Sequence, residues 1–282
     1  MDTAQARAIL DAAVVEFNPS HVFALFSGGH DSLVSTYLTS QHPRFSGVIH
    51  CNTGIGIEET RQFVRETCAR HGWPLIERMP PRVSWEEICL QGGMPGGPMK
   101  HLITYHRLKN EAVKQIVAES KTHRFDRILL STGIRQEEST RRMRLHPVPT
   151  RREGSLVWLS PILEWTALDV GRAIEAWGLK RNRVVDLLHR SGECLCGALA
   201  RPEEIEEIEY WFPKVAKRIH QMERECERLG LPNRWGSHFS GRRDARQQWL
   251  PLCQDCRTRW DEPWASQVSD KKAPDVAYEG RA

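Results

Sequence analysis

The chain of 282 residues carries 40 Lys and Arg against 36 Asp and Glu, a formal charge of +4, with 40% hydrophobic and 27% charged residues. That balance excludes wholesale disorder, which needs lower hydrophobicity or a larger net charge. No apolar run approaches the roughly 18 residues of a membrane span. The opening MDTAQARAILDAAVVEF holds Asp2, Asp11 and Glu16, so it reads as an amphipathic helix and not a secretory signal; the expected location is the cytoplasm, with no membrane contact.

Short apolar runs then alternate with helical patterns, the signature of βαβ units around a parallel sheet. HVFALF (21–26) reads as a buried strand, followed by a helix over 31–40; FSGVIHC (45–51) is a second strand and 57–71 a second helix. Residues 73–79 are a third strand, and PPRVSWEEICLQGGMPGGPMK is read as a long loop from its Gly and Pro content. A helix follows over 103–119, then strands at 127–131 and 156–160. From Arg201 onward Ile205, Ile208, Phe212, Val215, Ile219, Met222, Cys226 and Leu229 form one apolar stripe at helical spacing, with Pro213 as its natural break. The predicted fold is α/β, a parallel sheet flanked by helices. The expected division is an α/β domain over 1–190, a smaller helical, cysteine-bearing region over 191–260 and a disordered tail over 261–282.

The strongest chemical signal is Ser27-Gly28-Gly29-His30-Asp31-Ser32, between a strand and a helix. Glycines let the backbone turn sharply and approach a ligand, while freed N–H groups and the helix N-terminus form an anion pocket suited to phosphate. Ser27 and Ser32 add hydroxyl donors, and Asp31 is placed to hold Mg2+ through water. An ordinary turn would instead use Asp31 or Ser32 as the helix cap. The loop is not a Walker A motif, whose spacing and lysine it lacks.

These residues resemble the loop of the N-type ATP pyrophosphatases (the PP-loop), and further segments are similar to the branch related to PAPS (phosphoadenosine phosphosulfate) reductase. Asn52-Thr53-Gly54 with Glu59-Thr60 resembles a "DTG…ET" signature, with Asn52 where Asp is usual. Thr132-Gly133-Ile134-Arg135 with Glu138, Ser139 and Arg142 resembles "GxRxxES…R". Pro161–Thr166 with Asp169-Val170 resembles "PLxxWTxxDV". The resemblance implies an adenine nucleotide alpha hydrolase-like fold, ATP as ligand, and an adenosine pocket lined by Asn52, Thr53 and Gly54. Asp31, Arg135 and Arg142 are the expected catalytic residues, Arg135 and Arg142 facing the ligand with the rigid fork that suits phosphate oxygens. Gly133 joins the nucleotide contacts and Lys109 is a weaker phosphate candidate. Arg141, Arg144, Arg151, Arg152 and His146 remain for a nucleic-acid surface.

Four of eight cysteines cluster as CLC (Cys194, Cys196) and CQDC (Cys253, Cys256). Two close-spaced pairs each suit one edge of a tetrahedral or cuboidal metal centre, and spacing alone leaves iron–sulfur and zinc open. Resemblance favours a [4Fe–4S] cluster, since some members of the branch place a cysteine pair after the WT…DV segment and a CxxC later. It also implies a reaction: an ATP pyrophosphatase adenylates a substrate oxygen, and sulfur then displaces AMP. The chain resembles in particular the enzymes of DNA phosphorothioation (DndC- and SspD-type), which implies DNA as acceptor and a cysteine desulfurase as sulfur source. A tRNA or small molecule stays open as acceptor. The sulfonucleotide reductases of the branch attack with a cysteine in an ECGxH-like tail; no cysteine follows Cys256, which ranks that reading second. A metal-stapled nucleic-acid binder ranks third, because it leaves the intact loop without a purpose.

Overall fold

The apolar runs at His21–Leu25 (β1), Phe45–Cys51 (β2), Leu75–Arg78 (β3), Ile128–Ser131 (β4) and Leu156–Leu159 (β6) become five parallel strands of a six-stranded sheet in a computed structural model. Residues 2–138 and 148–236 are described below; Arg142 and the rest of 139–147, Cys253, Cys256 and the tail over 261–282 lie outside the described residues. The strand order is β3-β2-β1-β4-β6-β5, where Thr150–Glu153 (β5) runs antiparallel along the edge, joined to β6 through a turn at Gly154. The sequence reading missed this edge strand, whose TRRE is polar and largely exposed.

Period-two alternation sorts the central strands between two helical layers. Val22 and Leu129 pack with Thr3–Phe17 (α1), while Phe23, Ile128 and Leu130 pack against Glu111–Glu119 (α6). His30–Ser40 (α2) and Glu58–His71 (α3) bury Leu33, Val34, Phe63 and Val64 in a further cluster with Val48. Each such side chain contributes about 1.5–3 kcal/mol when fully buried.

The glycine- and proline-rich segment after β3 is not one long loop. Ser84 and Glu87 form a reciprocal capping box that starts Trp85–Gly92 (α4), and Trp85, Ile88 and Cys89 supply its buried face. Gly97–Tyr105 (α5) follows, with proline in its first turn, and continues through a π-helical turn at His106–Asn110 into α6. The capping signature and the apolar spacing outweigh the glycines on either side.

Beyond β6, Ala167–Ala176 (α7) and Arg183–Leu188 (α8) complete the layer, and Pro213 separates Glu204–Trp211 (α9) from Pro213–Arg228 (α10). Ile208, Ile219 and Cys226 from these last helices share one core with Ile55, Ile57 and Trp85. No helix among the described residues is long and apolar enough to cross a membrane.

Candidate active site

The order 3-2-1-4 makes the chain diverge from β1, and crevices form outside the carboxyl ends of strands at such a switch point. Ser27–Ser32 leaves the end of β1 there. Gly28 has φ +81°, and Gly29 is the N-cap of α2, where it offers no capping side chain. The first-turn N–H groups of α2 are therefore left for an anion, and the helix dipole favours one. Ser32 Oγ donates to the Gly29 carbonyl at 2.8 Å, accepts from Ser27 N at 3.3 Å and lies 3.2 Å from Ser27 Oγ, closing the loop on itself.

A buried hydroxyl network ties α2 to the end of β4. Ser35 Oγ donates to the Thr132 carbonyl at 2.9 Å, and Thr39 Oγ1 donates to Ser131 Oγ at 2.7 Å. Gly133 then lies so close to α2 that a Cβ there would stand 2.5 Å from Asp31 C and Ser32 N. Two residues on, Arg135 reaches back over the loop. Its Nε and Nη2 donate to the two Asp31 carboxylate oxygens at 2.9 and 3.3 Å, and its Nη1 donates to Glu137 at 2.8 Å. Glu137 in turn accepts from Ala167 N at 2.7 Å, at the start of α7. The Thr166 and Asp169 of the WT…DV segment are the capping box of that helix, a role in shaping the chain that their spacing encodes.

His30 opens α2 with its Nε2 buried and without a hydrogen-bond partner, 3.9 Å from Asp186. Burial, then the nearby Arg181 charge, lowers its pKa to about 4 against the pull of Asp186 and Asp31. The unfolded chain therefore takes up a proton below about pH 6.5 that the folded protein refuses until about pH 4. Stability is full above this window and falls as pH drops through it. We expect unfolding free energies from urea melts at pH 7.5 and pH 5 to differ by on the order of 2 kcal/mol more in wild type than in His30→Gln. Equal differences would mean that the ring charges freely.

At the end of β2, Asn52 Nδ2 donates to Glu77 at 2.8 Å and its Oδ1 accepts from Gly54 N at 3.0 Å, shaping the turn. Hydrogen bonds from Arg65, then from Asn52, outweigh burial and lower the Glu77 pKa to about 2. Thr53 Oγ1 donates to the Glu193 carbonyl at 2.8 Å, Ile57 N to the Gly192 carbonyl at 2.9 Å, and Leu195 N to the Ile55 carbonyl at 2.7 Å. These bonds zip residues 53–57 to the segment that carries Cys194 and Cys196.

The structure places Lys109 at this second locus. It is paired with the buried Glu193 carboxylate; burial alone would lower its pKa, but Glu193 and Cys194 push it upward. The two thiols interact closely: Cys196, then burial, raises the Cys194 pKa, and Cys194, more than burial opposes it, lowers that of Cys196. Cys51, on β2, is raised to about 12 by burial. Two converging thiols beside an ammonium group suit one edge of a thiolate-bound centre. Among the described residues no group of three or more His, Cys, Asp or Glu side chains is placed to hold a metal ion. The structure thus joins Ser27, Gly28, Gly29, Asp31, Ser32, Gly133 and Arg135 in one locus, and Lys109 with Cys194 and Cys196 in another, next to the turn of Asn52, Thr53 and Gly54. Sequence reasoning missed Glu193 and Asn182, whose contacts join positions far apart in the chain.

The profile of the phosphoadenosine phosphosulfate reductase domain matches residues 21–194. An uncharacterized protein of Methanocaldococcus jannaschii is 27% identical over 220 residues, which are 76% of this chain and 44% of that relative, so the chain spans less than half its length. Adenosine 5'-phosphosulfate reductase 2 of Bacillus subtilis is 23% identical over 181 residues, 64% of this chain and 74% of that one. The crystal structure of PAPS reductase from Candida auris in its phosphate complex aligns with a TM-score of 0.50 at 20% identity, covering 65% of this chain and 84% of that one, a likeness of fold. The matched span runs from the strand that leads into the Ser27–Ser32 loop to the first cysteine of the CLC pair, and the chain belongs to the phosphoadenosine phosphosulfate reductase domain family.

Proposed function

We propose that the protein is an ATP pyrophosphatase that adenylates an oxygen of a nucleic-acid substrate for sulfur incorporation, with DNA phosphorothioation as the favoured setting. The observation that carries this reading is the charge at the loop mouth. Arg135 stands between two carboxylates, Asp31 and Glu137, so this trio of side chains carries a net negative charge. A polyphosphate accompanied by Mg2+ meets these two carboxylates as a cation site.

The substrate oxygen attacks the α-phosphorus of ATP, the bond to the bridging oxygen of the β-phosphate breaks, and pyrophosphate leaves as the Mg2+ complex. The terminal sulfur of a persulfide, delivered from a cysteine desulfurase, then displaces AMP, and a thiol reductant cleaves the resulting disulfide to leave the sulfur on the substrate. The chain's own part is positioning and charge neutralisation: loop N–H groups and Ser27 and Ser32 hold the phosphates, Asp31 orients the hydrated cation, and Arg135 and Arg142 follow the charge as it develops. Cys194 and Cys196, with Cys253 and Cys256, would hold a [4Fe–4S] cluster, or zinc in its place. When bound, the cluster would tie these segments together or offer an iron position for sulfur.

The test is pyrophosphate release from ATP by anaerobically purified protein with DNA or tRNA added, wild type beside Asp31→Ala. We expect release that falls at least about 100-fold in the variant. The likeness to the Bacillus subtilis enzyme favours a second reading, a sulfonucleotide reductase whose thiol comes from a partner. No release from ATP, together with tight binding of adenosine phosphosulfate without Mg2+, would establish that reading instead.

A further inference from the structure

The Gly28–Gly29 peptide joins two residues without a Cβ, so little in its own sterics stops it from turning over. A peptide unit is planar and trans, so its N–H points opposite to its C=O. Whatever holds the Gly28 carbonyl therefore also aims the Gly29 N–H. Asn182 holds it: Nδ2 donates to the Gly28 carbonyl at 2.8 Å, while Oδ1 of the same side chain accepts from Val184 N at 3.0 Å and caps α8. The two contacts fix which end of the amide is which, because the carbonyl needs a donor and the N–H an acceptor. Asn182 is 2% exposed, and its Nδ2 also lies 3.4 Å from Thr60 Oγ1. Thr60 donates to the Ser191 carbonyl, and its Cγ2 would stand 2.6 Å from a Cβ on Gly28. The loop peptide is thus gripped on its far side by α8 and α3.

We propose that Asn182 is a positioning residue for the nucleotide site: it sets the Gly28–Gly29 peptide so that the Gly29 N–H faces the phosphates. The inference rests on the reading of Ser27–Ser32 as the phosphate cradle. Asparagine suits the place because a single side chain must donate to one backbone group and accept from another. Serine caps a helix as well as asparagine does but is too short to reach Gly28, and aspartate keeps the cap while turning the donor into an acceptor.

Asn182→Ser and Asn182→Asp separate positioning from capping. The readouts are 15N relaxation of the Gly28 and Gly29 amides in nucleotide-free protein, the Kd for Mg-ATP and for adenosine phosphosulfate, and the thermal midpoint. We expect nanosecond motion confined to Gly28 and Gly29 in both variants. Kd should rise about tenfold in Asn182→Ser, the loss of one well-placed donor, and further in Asn182→Asp. The midpoint should stay near that of wild type in Asn182→Ser. Unchanged loop relaxation in both variants would overturn the proposal, as would motion spread evenly through α3 and α8. If wild type binds neither nucleotide, the phosphate-cradle reading fails, while the relaxation data still decide whether Asn182 sets the peptide.

Discussion

Alanine at Gly133 is expected to weaken Mg-ATP binding by at least about 100-fold, more than the loss of any single hydrogen bond in the loop. The added Cβ would lie 2.5 Å from Asp31 C and Ser32 N and 2.7 Å from Ser32 Cα, all backbone atoms that no rotamer change can clear. Nor can α2 recede cheaply, because Ser35 and Thr39 bind it to Thr132 and Ser131 immediately before the glycine. Such overpacking costs about 3 kcal/mol or more, which at this size lowers the thermal midpoint by roughly 6 °C or more. Gly171→Ala supplies the contrast. That glycine lies within α7 with nothing within 4 Å of its added Cβ, so alanine there should raise stability by about 0.5–1 kcal/mol. Calorimetry of the two variants side by side checks the pair, and a wild-type midpoint for Gly133→Ala would contradict the close approach of Gly133 to α2.

Arg135→Gln should have the second largest effect. Arg135 is 6% exposed and donates to Asp31, to Glu137 and to the Trp165 carbonyl, so its removal takes the shared cation from both carboxylates. Breaking a buried ion pair from one side costs about 3–5 kcal/mol; the partial exposure of Asp31 and Glu137 puts the expected loss near the lower end, about 3 kcal/mol. Pyrophosphate release should disappear with it. The double variant Asp31→Asn, Arg135→Gln should regain much of the stability and none of the activity, which a double-mutant cycle in urea will measure. Additive losses in that cycle would show that the two side chains act separately.

What could be read from the sequence follows the distance over which each contact forms. Ser27–Ser32 and Thr132–Arg135 were legible because a strand, a tight turn and a helix start leave their mark in consecutive residues. The capping box at Ser84 and Glu87 is equally local but stands among glycines and prolines, whose composition signals a loop. Lys109 reads in the sequence as a weaker phosphate candidate; its partner Glu193 is 84 residues away, and only the folded chain buries the two together. Asn182 was illegible for the same reason, since it meets Gly28 across 154 residues. Asp169 was read as part of a family signature, and its physical work is to start α7 beside Arg135.

The zipper between residues 53–57 and 192–195 also dictates an order of events. Thr53 meets Glu193 across 140 residues, so a long loop must close before the contact repays its entropy. Strands β1 to β4 all precede the cysteine segment and can pair before it arrives. Cys194 and Cys196 therefore take their places beside Lys109 and Glu193 only once residues 53–57 and 192–195 have met. Whatever those thiols hold in that arrangement is held by a pair that this zipper has set in place.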